Sequence, residues 1–146
     1  MPTYTVNLSS FELSAEQKER IARVITRTHY SVTGANPCFA QVIFNALPEG
    51  NHYIGGKKLS ETLLFLHGQI RAGRSPEVKE KLILDLRDEL VKASGLDKSQ
   101  VWIYLLDLTP KQMIEYGEIL PQSGNESQWF AGLEPGLKEK LSSLDQ

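Results

Sequence analysis

An internal repeat constrains this 146-residue chain more than any other feature of its sequence. Residues 14–21 read SAEQKERI and residues 75–82 read SPEVKEKL, which is the same pattern of residue types at an offset of 61 positions. Each stretch opens with a serine, a residue that favours the start of a helix. Each predicted helix then runs to a glycine, Gly34 or Gly95, which is typical of a helix end. The sequence therefore predicts two copies of one structural unit.

Each predicted helix lies between two predicted strands. The strands are TYTVNL and AQVIFN in the first half and LLFLHGQI and SQVWIYL in the second, all rich in aliphatic, β-branched and aromatic residues. Since the helix of a parallel β-α-β unit crosses on one side of the sheet, we expect an α/β (α+β) fold with a four-stranded sheet and both helices on one face. The strands carry apolar residues on both faces, so the uncovered face is expected to pack against another subunit.

We expect a single domain over residues 1–146. Its two β-α-β repeats would span about residues 2–58 and 59–122, followed by a C-terminal arm over residues 123–146. The arm contains two aromatic residues and a short predicted helix with leucines at helical spacing, namely Trp129, Phe130, Leu137, Leu141 and Leu144. This pattern indicates an arm that packs onto the rest of the domain rather than one that takes part in function.

The composition argues against several classes of protein. A formal net charge of −2 gives no electrostatic reason to expect nucleic acid or an anionic membrane as a partner. No apolar run approaches the roughly 18 residues needed to span a bilayer, and the N-terminus lacks the basic and apolar regions of a signal peptide. The lone Cys38 cannot form an internal disulfide, which fits a reducing compartment. We therefore expect a cytoplasmic enzyme or binding protein.

The sequence contains no motif for a metal ion or a cofactor. His29, His52 and His67 share no ligand spacing, there is no cysteine pair, and no glycine-rich nucleotide-binding motif occurs. The two glycines of YIGGKK are interpreted as a turn. We expect neither a metal nor a cofactor.

The stretch RAGRS, residues 71–75, is a candidate anion site. It places Arg71 and Arg74 between the end of a predicted strand and the start of a helix, where guanidinium groups can bind a carboxylate. In parallel α/β sheets, ligands gather at this end of the strands. The alternative is a solvated loop that carries two ordinary surface arginines.

Three other residues have both a structural and a functional interpretation. His29 lies four and eight residues after Ile25 and Ile21, so it is either a core histidine of the first helix or a site residue. Tyr104 is part of an apolar strand and has the same two interpretations. Glu115 is either a solvated loop carboxylate or one that its apolar neighbours remove from water.

Pro2 raises a similar choice. Proline is tolerated at the first residue of a strand, where its missing N–H breaks no ladder hydrogen bond. Alternatively, the initiator methionine is normally removed when a small residue follows it, which would make Pro2 a free secondary amine. Its position alone favours the structural role.

Together these features resemble the tautomerase superfamily and, within it, the cis-3-chloroacrylic acid dehalogenase family. The resemblance covers nearly the whole chain and is carried by PTYTV, VITRTH, AQVIF, HGQIRAGRS, VWIYL, MIEYGEILPQSG and the WF of the tail. It implies two fused β-α-β units that assemble as a homotrimer. It also implies a site of six residues that fall in register here, namely Pro2, His29, Arg71, Arg74, Tyr104 and Glu115.

The resemblance further implies a mechanism. The two arginines would bind the carboxylate of a small acid, with the histidine assisting. Glu115 and Tyr104 would activate a water for attack at the β-carbon of an unsaturated acid, and Pro2, as a protonated amine, would deliver a proton to the α-carbon. The implied activity is that of a cis-3-haloacrylate dehalogenase or an acetylenic acid hydratase, with no cofactor.

Two alternatives stay open. A neutral Pro2 would act as a base and would suit a tautomerase of enol or 2-oxo acids, while a binding protein would retain the same scaffold without catalysis. The loop at residues 30–39 departs from the dehalogenase, which has a threonine and a glutamine there. In this chain Ala35 removes a hydroxyl that would touch the substrate, and Pro37 stiffens the loop. The six residues therefore do not establish the substrate.

Overall fold

The computed structural model describes residues 2–35 and 39–144 of the chain. Met1, Pro37 and Cys38, on which the expectations about methionine removal, loop stiffness and compartment rest, lie outside the described residues. The elements of the first half are β1 (Thr3–Ser9), α1 (Ala15–Thr33), β2 (Gln41–Leu47), β3 (Tyr53–Ile54) and β4 (Lys57–Lys58). Those of the second half are β5 (Leu63–Arg71), α2 (Pro76–Ser94), β6 (Val101–Leu108), β7 (Ile114–Glu115) and β8 (Glu118–Ile119). The arm contains α3 (Glu126–Gly132) and α4 (Pro135–Ser143).

Both long helices begin and end where the repeat predicts. The hydroxyls of Ser14 and Ser75 each accept a hydrogen bond from a backbone N–H three residues further on. Gly34 and Gly95 end the helices with φ of 68° and 74°, a left-handed conformation that glycine adopts without steric penalty. Neither these helices nor any other helix within residues 2–35 and 39–144 is long and apolar enough to cross a membrane.

The four long strands form one sheet in the order β2-β1-β5-β6. β1 is parallel to β2 and β5 is parallel to β6, as expected for two β-α-β units, while β1 and β5 are antiparallel at the centre. Along the central pair, Thr3 lies opposite Gln69 and Ser9 lies opposite Leu63. The start of β1 therefore lies beside the end of β5, although the two are far apart in sequence.

The core lies between this sheet and the two long helices. Its buried side chains from the central strands alternate along each strand and so share one face of the sheet: Tyr4, Val6, Leu8, Leu64, Leu66 and Ile70. The same cluster contains side chains from both helices, namely Ile21, Ile25, Leu82, Leu86 and Leu90. The predicted architecture of fused β-α-β units, with two helices on one face of a four-stranded sheet, is confirmed.

The outer face of the sheet is apolar mainly in its second half. Large apolar side chains of β6 are exposed there, namely Trp102, Tyr104 and Leu106. On β1 and β2 the same face carries mostly polar side chains. Two of them, Gln41 and Thr3, are joined across the strands by a hydrogen bond from the Gln41 amide to the Thr3 hydroxyl. Asn45 donates a second one to Asn7. The expectation of strands that are apolar on both faces therefore holds for the second half and is wrong for most of the first.

A short hairpin follows the second long strand of each unit. β3 and β4 are joined by Gly55 and Gly56, and β7 and β8 are joined by Tyr116 and Gly117. All four of these residues have positive φ, as in the tight two-residue turns that match the twist of a hairpin. The glycines of YIGGKK thus form a turn, as predicted, and the matching hairpins extend the repeat beyond the helices.

The arm packs in two places. Leu141 of α4 is buried, as its helical spacing predicts, but Leu144 follows the end of the helix and is 50% exposed. The indole N–H of Trp129 donates a hydrogen bond to the Ile119 carbonyl at 2.9 Å, which ties α3 to the second hairpin. The contact places the arm beside β8 of the second hairpin.

Candidate active site

A small cavity of about 30 Å³ lies where the start of β1 meets the end of β5. Nine residues from both halves of the chain and from the arm line it: Pro2, His29, Ala35, Phe39, Arg71, Arg74, Leu120, Pro121 and Trp129. Four of the six residues implied by the resemblance are therefore brought together. The other two, Tyr104 and Glu115, are not among the lining residues.

Strand pairing brings Pro2 to the end of β5. Because Thr3 lies opposite Gln69 in the antiparallel pair, the residue before Thr3 lies beside the residues that follow Gln69. The Pro2 carbonyl accepts a hydrogen bond from the Gln41 backbone N–H at 3.0 Å, which fixes the start of β1 against β2. Pro2 and Arg71 consequently line the same cavity, and Pro2 is buried.

A glycine turn brings Arg74 back toward Arg71. Gly73 has φ of 117°, a conformation that residues with a Cβ rarely adopt. Beyond this turn, Nη1 of Arg74 donates a hydrogen bond to the Arg71 carbonyl at 2.8 Å. The RAGRS stretch therefore forms a convergent pair of half-buried and buried arginines rather than a solvated loop.

Gly68 makes room for the ring of Tyr4, which in turn contacts His29. Gly68 and Tyr4 lie opposite each other in the β1–β5 pair, and a Cβ on Gly68 would come within 2.7 Å of both Tyr4 Cε1 and Leu105 Cδ2. The Tyr4 ring is fully buried, and its hydroxyl lies 2.7 Å from Nδ1 of His29. The glycine of HGQI thus positions the histidine through a tyrosine that sequence analysis does not identify.

Burial keeps both of these groups neutral. Burial, followed by the positive charge of Arg74, lowers the pKa of His29 from 6.5 to about 3. Burial also raises the pKa of Tyr4 above its ordinary value, so the phenol keeps its proton. Because the phenol is the more acidic of the two neutral groups, its hydroxyl donates the hydrogen bond and Nδ1 accepts it. His29 therefore carries its own proton on Nε2.

Three buried side-chain nitrogens in the described part of the chain have no hydrogen-bond partner: His29 Nε2, Arg71 Nε and Arg74 Nε. All three residues line the cavity. Each nitrogen is an N–H donor: Nε of an arginine always carries a hydrogen, and Nε2 of His29 carries the proton of the neutral imidazole. A buried donor without an acceptor is costly, so a ligand that supplies acceptors is favoured here. The rest of the wall is largely apolar. The cavity therefore suits a small anion with an apolar body.

The site offers donors rather than ligands for a cation. Within residues 2–35 and 39–144, no three histidine, cysteine, aspartate or glutamate side chains are grouped closely enough to hold a metal ion. The lining contains one histidine and no carboxylate. Its electrostatic character is that of an anion site.

Glu115 lies on the second hairpin, near the cavity but not in its wall. Met113 and Leu120 flank the hairpin, and the Leu120 backbone N–H donates to the Met113 carbonyl at 3.0 Å. Both are buried in a small apolar cluster that includes residues of the cavity wall, whereas Ile114 is exposed. Burial raises the pKa of the Glu115 carboxyl above its usual range, and the positive charges of the amino terminus and Arg71 oppose that shift.

Tyr104 lies on the outer face of β6. Its side chain is 56% exposed, and its ring meets the ring of Phe65 edge to face with centroids 5.0 Å apart. In the β5–β6 pair it lies opposite His67. A single chain therefore does not bring Tyr104 into the cavity, and its part in activating water stays a prediction.

The cavity has an apolar wall that the sequence motifs do not predict. Phe39 and Trp129 form much of this wall, and their rings meet edge to face with centroids 6.1 Å apart. Leu120 completes the cluster that connects them. The arm thus does more than pack, since Trp129 of α3 faces the same cavity as Pro2. In the sequence, the feature that points to Trp129 is the WF pair of the tail, which belongs to the motifs that carry the resemblance.

Comparisons with known proteins point in one direction. A family model described as putative oxalocrotonate tautomerase enzyme matches residues 1–133. The crystal structure of N1, described as a member of the cis-3-chloroacrylic acid dehalogenase (cis-CaaD) family, is similar with a TM-score of 0.91 and 30% sequence identity. That similarity covers 97% of this chain and 99% of the N1 chain. Among curated proteins there is no match.

More distant structures share the fold. Pt0534 inactivated by 2-oxo-3-pentynoate is 24% identical with a TM-score of 0.73, over 81% of this chain and 94% of that one. R7 fused 4-OT, described as an asymmetric trimer, is 23% identical with a TM-score of 0.71, over 80% of this chain and 94% of that one. At these identities the likeness is one of fold.

Proposed function

The chain belongs to the tautomerase superfamily and, within it, to the cis-3-chloroacrylic acid dehalogenase family, and on that premise we propose that it is an amino-terminal-proline enzyme that adds water to a small α,β-unsaturated carboxylic acid. The observation that carries the proposal is the set of unpartnered nitrogens on His29, Arg71 and Arg74, in a cavity that Pro2 also lines. Substrates of this class are cis-3-haloacrylates and acetylenic acids such as propiolate.

The three nitrogens would bind the substrate carboxylate. Because the carboxylate is ionised, all three hydrogen bonds would be charge-assisted, and the two from guanidinium groups would also join opposite charges. Arg71 would contribute through Nε, whose hydrogen has no partner, while each terminal nitrogen already uses one of its two hydrogens for an acceptor of the protein. Charge drawn toward the carboxylate polarises the conjugated double bond and makes the β-carbon electrophilic.

Addition of water then needs an acid and a base. Pro2, exposed by removal of Met1 and protonated, would give its proton to the α-carbon while Glu115 accepts a proton from the water that attacks the β-carbon. The raised pKa of Glu115 moves this carboxylate toward the range in which it is an effective base near neutral pH. With a 3-haloacrylate, the β-carbon then carries a hydroxyl and a halogen and loses both a halide and a proton to form an aldehyde.

The proposal includes a homotrimer with active sites near subunit boundaries. Several fused 4-OT proteins that share the fold are described as trimers. The exposed side chains of Trp102, Tyr104 and Leu106 form an apolar patch on the outer face of the sheet, and contact with other copies would bury it. Because Tyr104 belongs to this patch, its part in activating water with Glu115 would depend on assembly.

Tautomerisation of an enol or 2-oxo acid is a second candidate activity. The observation that favours it is the matching family model, which is described as a putative oxalocrotonate tautomerase. It would use the same nitrogens for the carboxylate, and a neutral Pro2 would take a proton from one atom of the substrate and return it to another. The nearby arginines and the burial of Pro2 favour the neutral amine, whereas Glu115 favours the protonated one.

Product identification tests the proposal. Protein whose mass shows loss of Met1 is incubated with cis- and trans-3-chloroacrylate, propiolate and phenylenolpyruvate, and products are followed by NMR. We expect hydration products from cis-3-chloroacrylate and propiolate, and only background with an extended N-terminus, where Pro2 is no longer an amine. Conversion of phenylenolpyruvate alone would make tautomerisation the main activity. Turnover of none of them would overturn both enzymatic candidates and favour a binding protein.

A further inference from the structure

One short segment of the arm holds both terminal nitrogens of Arg71. Nη1 donates a hydrogen bond to the Pro121 carbonyl at 2.9 Å, and Nη2 donates one to Oε1 of Glu126. The second carboxylate oxygen of Glu126 accepts the Gly124 backbone N–H at 2.8 Å. Glu126 therefore links the guanidinium to the backbone of the arm.

The burial of the two partners differs. The side chain of Arg71 is 7% exposed and that of Glu126 is 45% exposed, so the contact joins a buried guanidinium to a carboxylate that is partly in solvent. A guanidinium is planar, and fixing both terminal nitrogens also fixes the direction of its Nε–H. That Nε is one of the three buried nitrogens without a partner, and all three belong to residues that line the cavity.

We propose that Glu126 is a positioning residue for the substrate carboxylate, because it holds the Arg71 guanidinium in the orientation that presents Nε–H to the cavity. The inference rests on the proposed function in so far as the ligand is the carboxylate of a small acid. Glu126 acts through Arg71 and does not itself contact the ligand. The arm thereby takes part in binding through Glu126 as well as through the wall at Trp129.

Charge alone predicts the opposite effect. Glu126 places a negative charge close to an anion site, so its removal would strengthen the attraction of the cavity for an anion. The same tightening would follow if Glu126 occupied the place of the substrate carboxylate and had to be displaced. Orientation predicts weaker binding when the acceptor is lost, so the direction of the change in affinity separates these accounts.

Two variants and a control test the proposal. Glu126→Ala removes the acceptor, whereas Glu126→Gln keeps an oxygen acceptor and removes the charge. Glu134→Ala removes an exposed carboxylate from the same arm and serves as the control. The probe is propionate, a small carboxylate that cannot add water. Its dissociation constant is measured by NMR, together with the signal of the Arg71 Nε–H.

We expect Glu126→Ala to raise the dissociation constant for propionate about tenfold and to broaden the Arg71 Nε–H signal, because a misoriented donor loses most of its hydrogen bond. Glu126→Gln should stay within about threefold of the unmodified protein, since the acceptor geometry is kept. With a turned-over substrate, Glu126→Ala should raise KM more than it lowers kcat. Glu134→Ala should change neither affinity nor spectrum.

The outcomes separate the two levels of inference. Propionate binding that is unchanged or tighter in Glu126→Ala, or an Arg71 Nε–H signal that stays sharp, overturns the positioning role while the anion site stands. Failure of the unmodified protein to bind propionate overturns the anion site itself, and the positioning role with it. Should Glu126→Ala lose its fold, Glu126→Ser, which also removes the carboxylate acceptor from Nη2, takes its place: a dissociation constant raised about tenfold with a broadened Arg71 Nε–H signal supports the proposal, and unchanged or tighter binding overturns it.

Discussion

The hydroxyl of Tyr4 lies 2.7 Å from Nδ1 of His29, and this hydrogen bond leaves Nε2 as the unpartnered nitrogen of the imidazole. The two rings also meet edge to face, with centroids 5.7 Å apart. Tyr4 belongs to β1, and Pro2 immediately precedes that strand. The proposed amine and the group that orients the histidine are therefore only two residues apart. This coupling has measurable consequences.

Tyr4→Phe should leave the fold intact and release the His29 ring from a single tautomer. The variant keeps the buried ring and removes only the donor to Nδ1, so Nδ1 and Nε2 would share the proton. Ring ¹⁵N chemical shifts should move toward a mixture of tautomers, and KM for a carboxylate substrate should rise about 3- to 10-fold, the scale of one neutral hydrogen bond. Tyr30→Phe, on the exposed residue next to His29, is the control. Unchanged ¹⁵N shifts in Tyr4→Phe would contradict the assigned tautomer.

His29 should make the free energy of unfolding depend on pH. Its pKa is about 3 in the folded protein and 6.5 when free, so between these values the unfolded chain binds more protons than the folded one. The stabilisation is fully present above about pH 6.5 and is lost as the pH falls toward 3. In urea unfolding between these limits, His29→Gln should flatten the slope by up to about 1.4 kcal/mol per pH unit. Equal slopes for variant and parent would show that His29 is not buried as a neutral group.

Gly68→Ala should destabilise the protein and disturb the site. The added Cβ would lie within 3 Å of the Tyr4 ring and of Leu105, both of which are packed between sheet and helices. Overpacking of this kind costs about 1–3 kcal/mol, and a displaced Tyr4 would lengthen its hydrogen bond to His29. Denaturant unfolding measures the first effect, and the His29 ring spectrum measures the second. The matched control is Gly136→Ala, where a Cβ meets nothing within 4 Å.

Glu115→Gln should separate the two candidate activities. The variant keeps the shape of the side chain, but no carboxylate remains to take a proton from water, so hydration of propiolate or 3-chloroacrylate should fall at least about 10²-fold. Loss of a negative charge should also lower the pKa of the Pro2 amine, which raises its neutral fraction and leaves tautomerisation steady or faster. Glu118→Gln, at the position opposite on the hairpin, controls for local changes. Equal losses in both activities, with the fold intact, would argue against a separate role for Glu115.

Local signals in the sequence predicted the frame of the fold. Ser14, Ser75, Gly34 and Gly95 bound the two helices because caps and left-handed stops depend on residues within one turn. The glycine pair of YIGGKK formed its turn for the same reason. The polar outer face of β1 and β2 does not follow from the apolar content of whole strands, because it depends on alternate residues such as Thr3 and Asn7.

Side-chain partners across the fold could not be predicted from patterns of residues. Tyr4 and His29 are 25 positions apart, and Arg71 and Glu126 are 55 apart, so their pairing depends on how strands and arm are placed in space. The resemblance to a family supplied the site residues, and four of them share the cavity. The resemblance did not assign Trp129 to the cavity wall, and it did not indicate which N–H groups of the arginines are without a partner.

The 61-residue repeat also bears on stoichiometry. The positions in the second half that correspond to Pro2 and His29 are Leu63 and Leu90, and both are buried in the core. The two arginines, in turn, belong to the second half alone. The two copies of the unit thus contribute different residues to the cavity: the first contributes Pro2 and the His29 imidazole, and the second contributes the two guanidinium groups. A duplicated chain of this kind should bind one small anion per polypeptide rather than two, however many chains assemble.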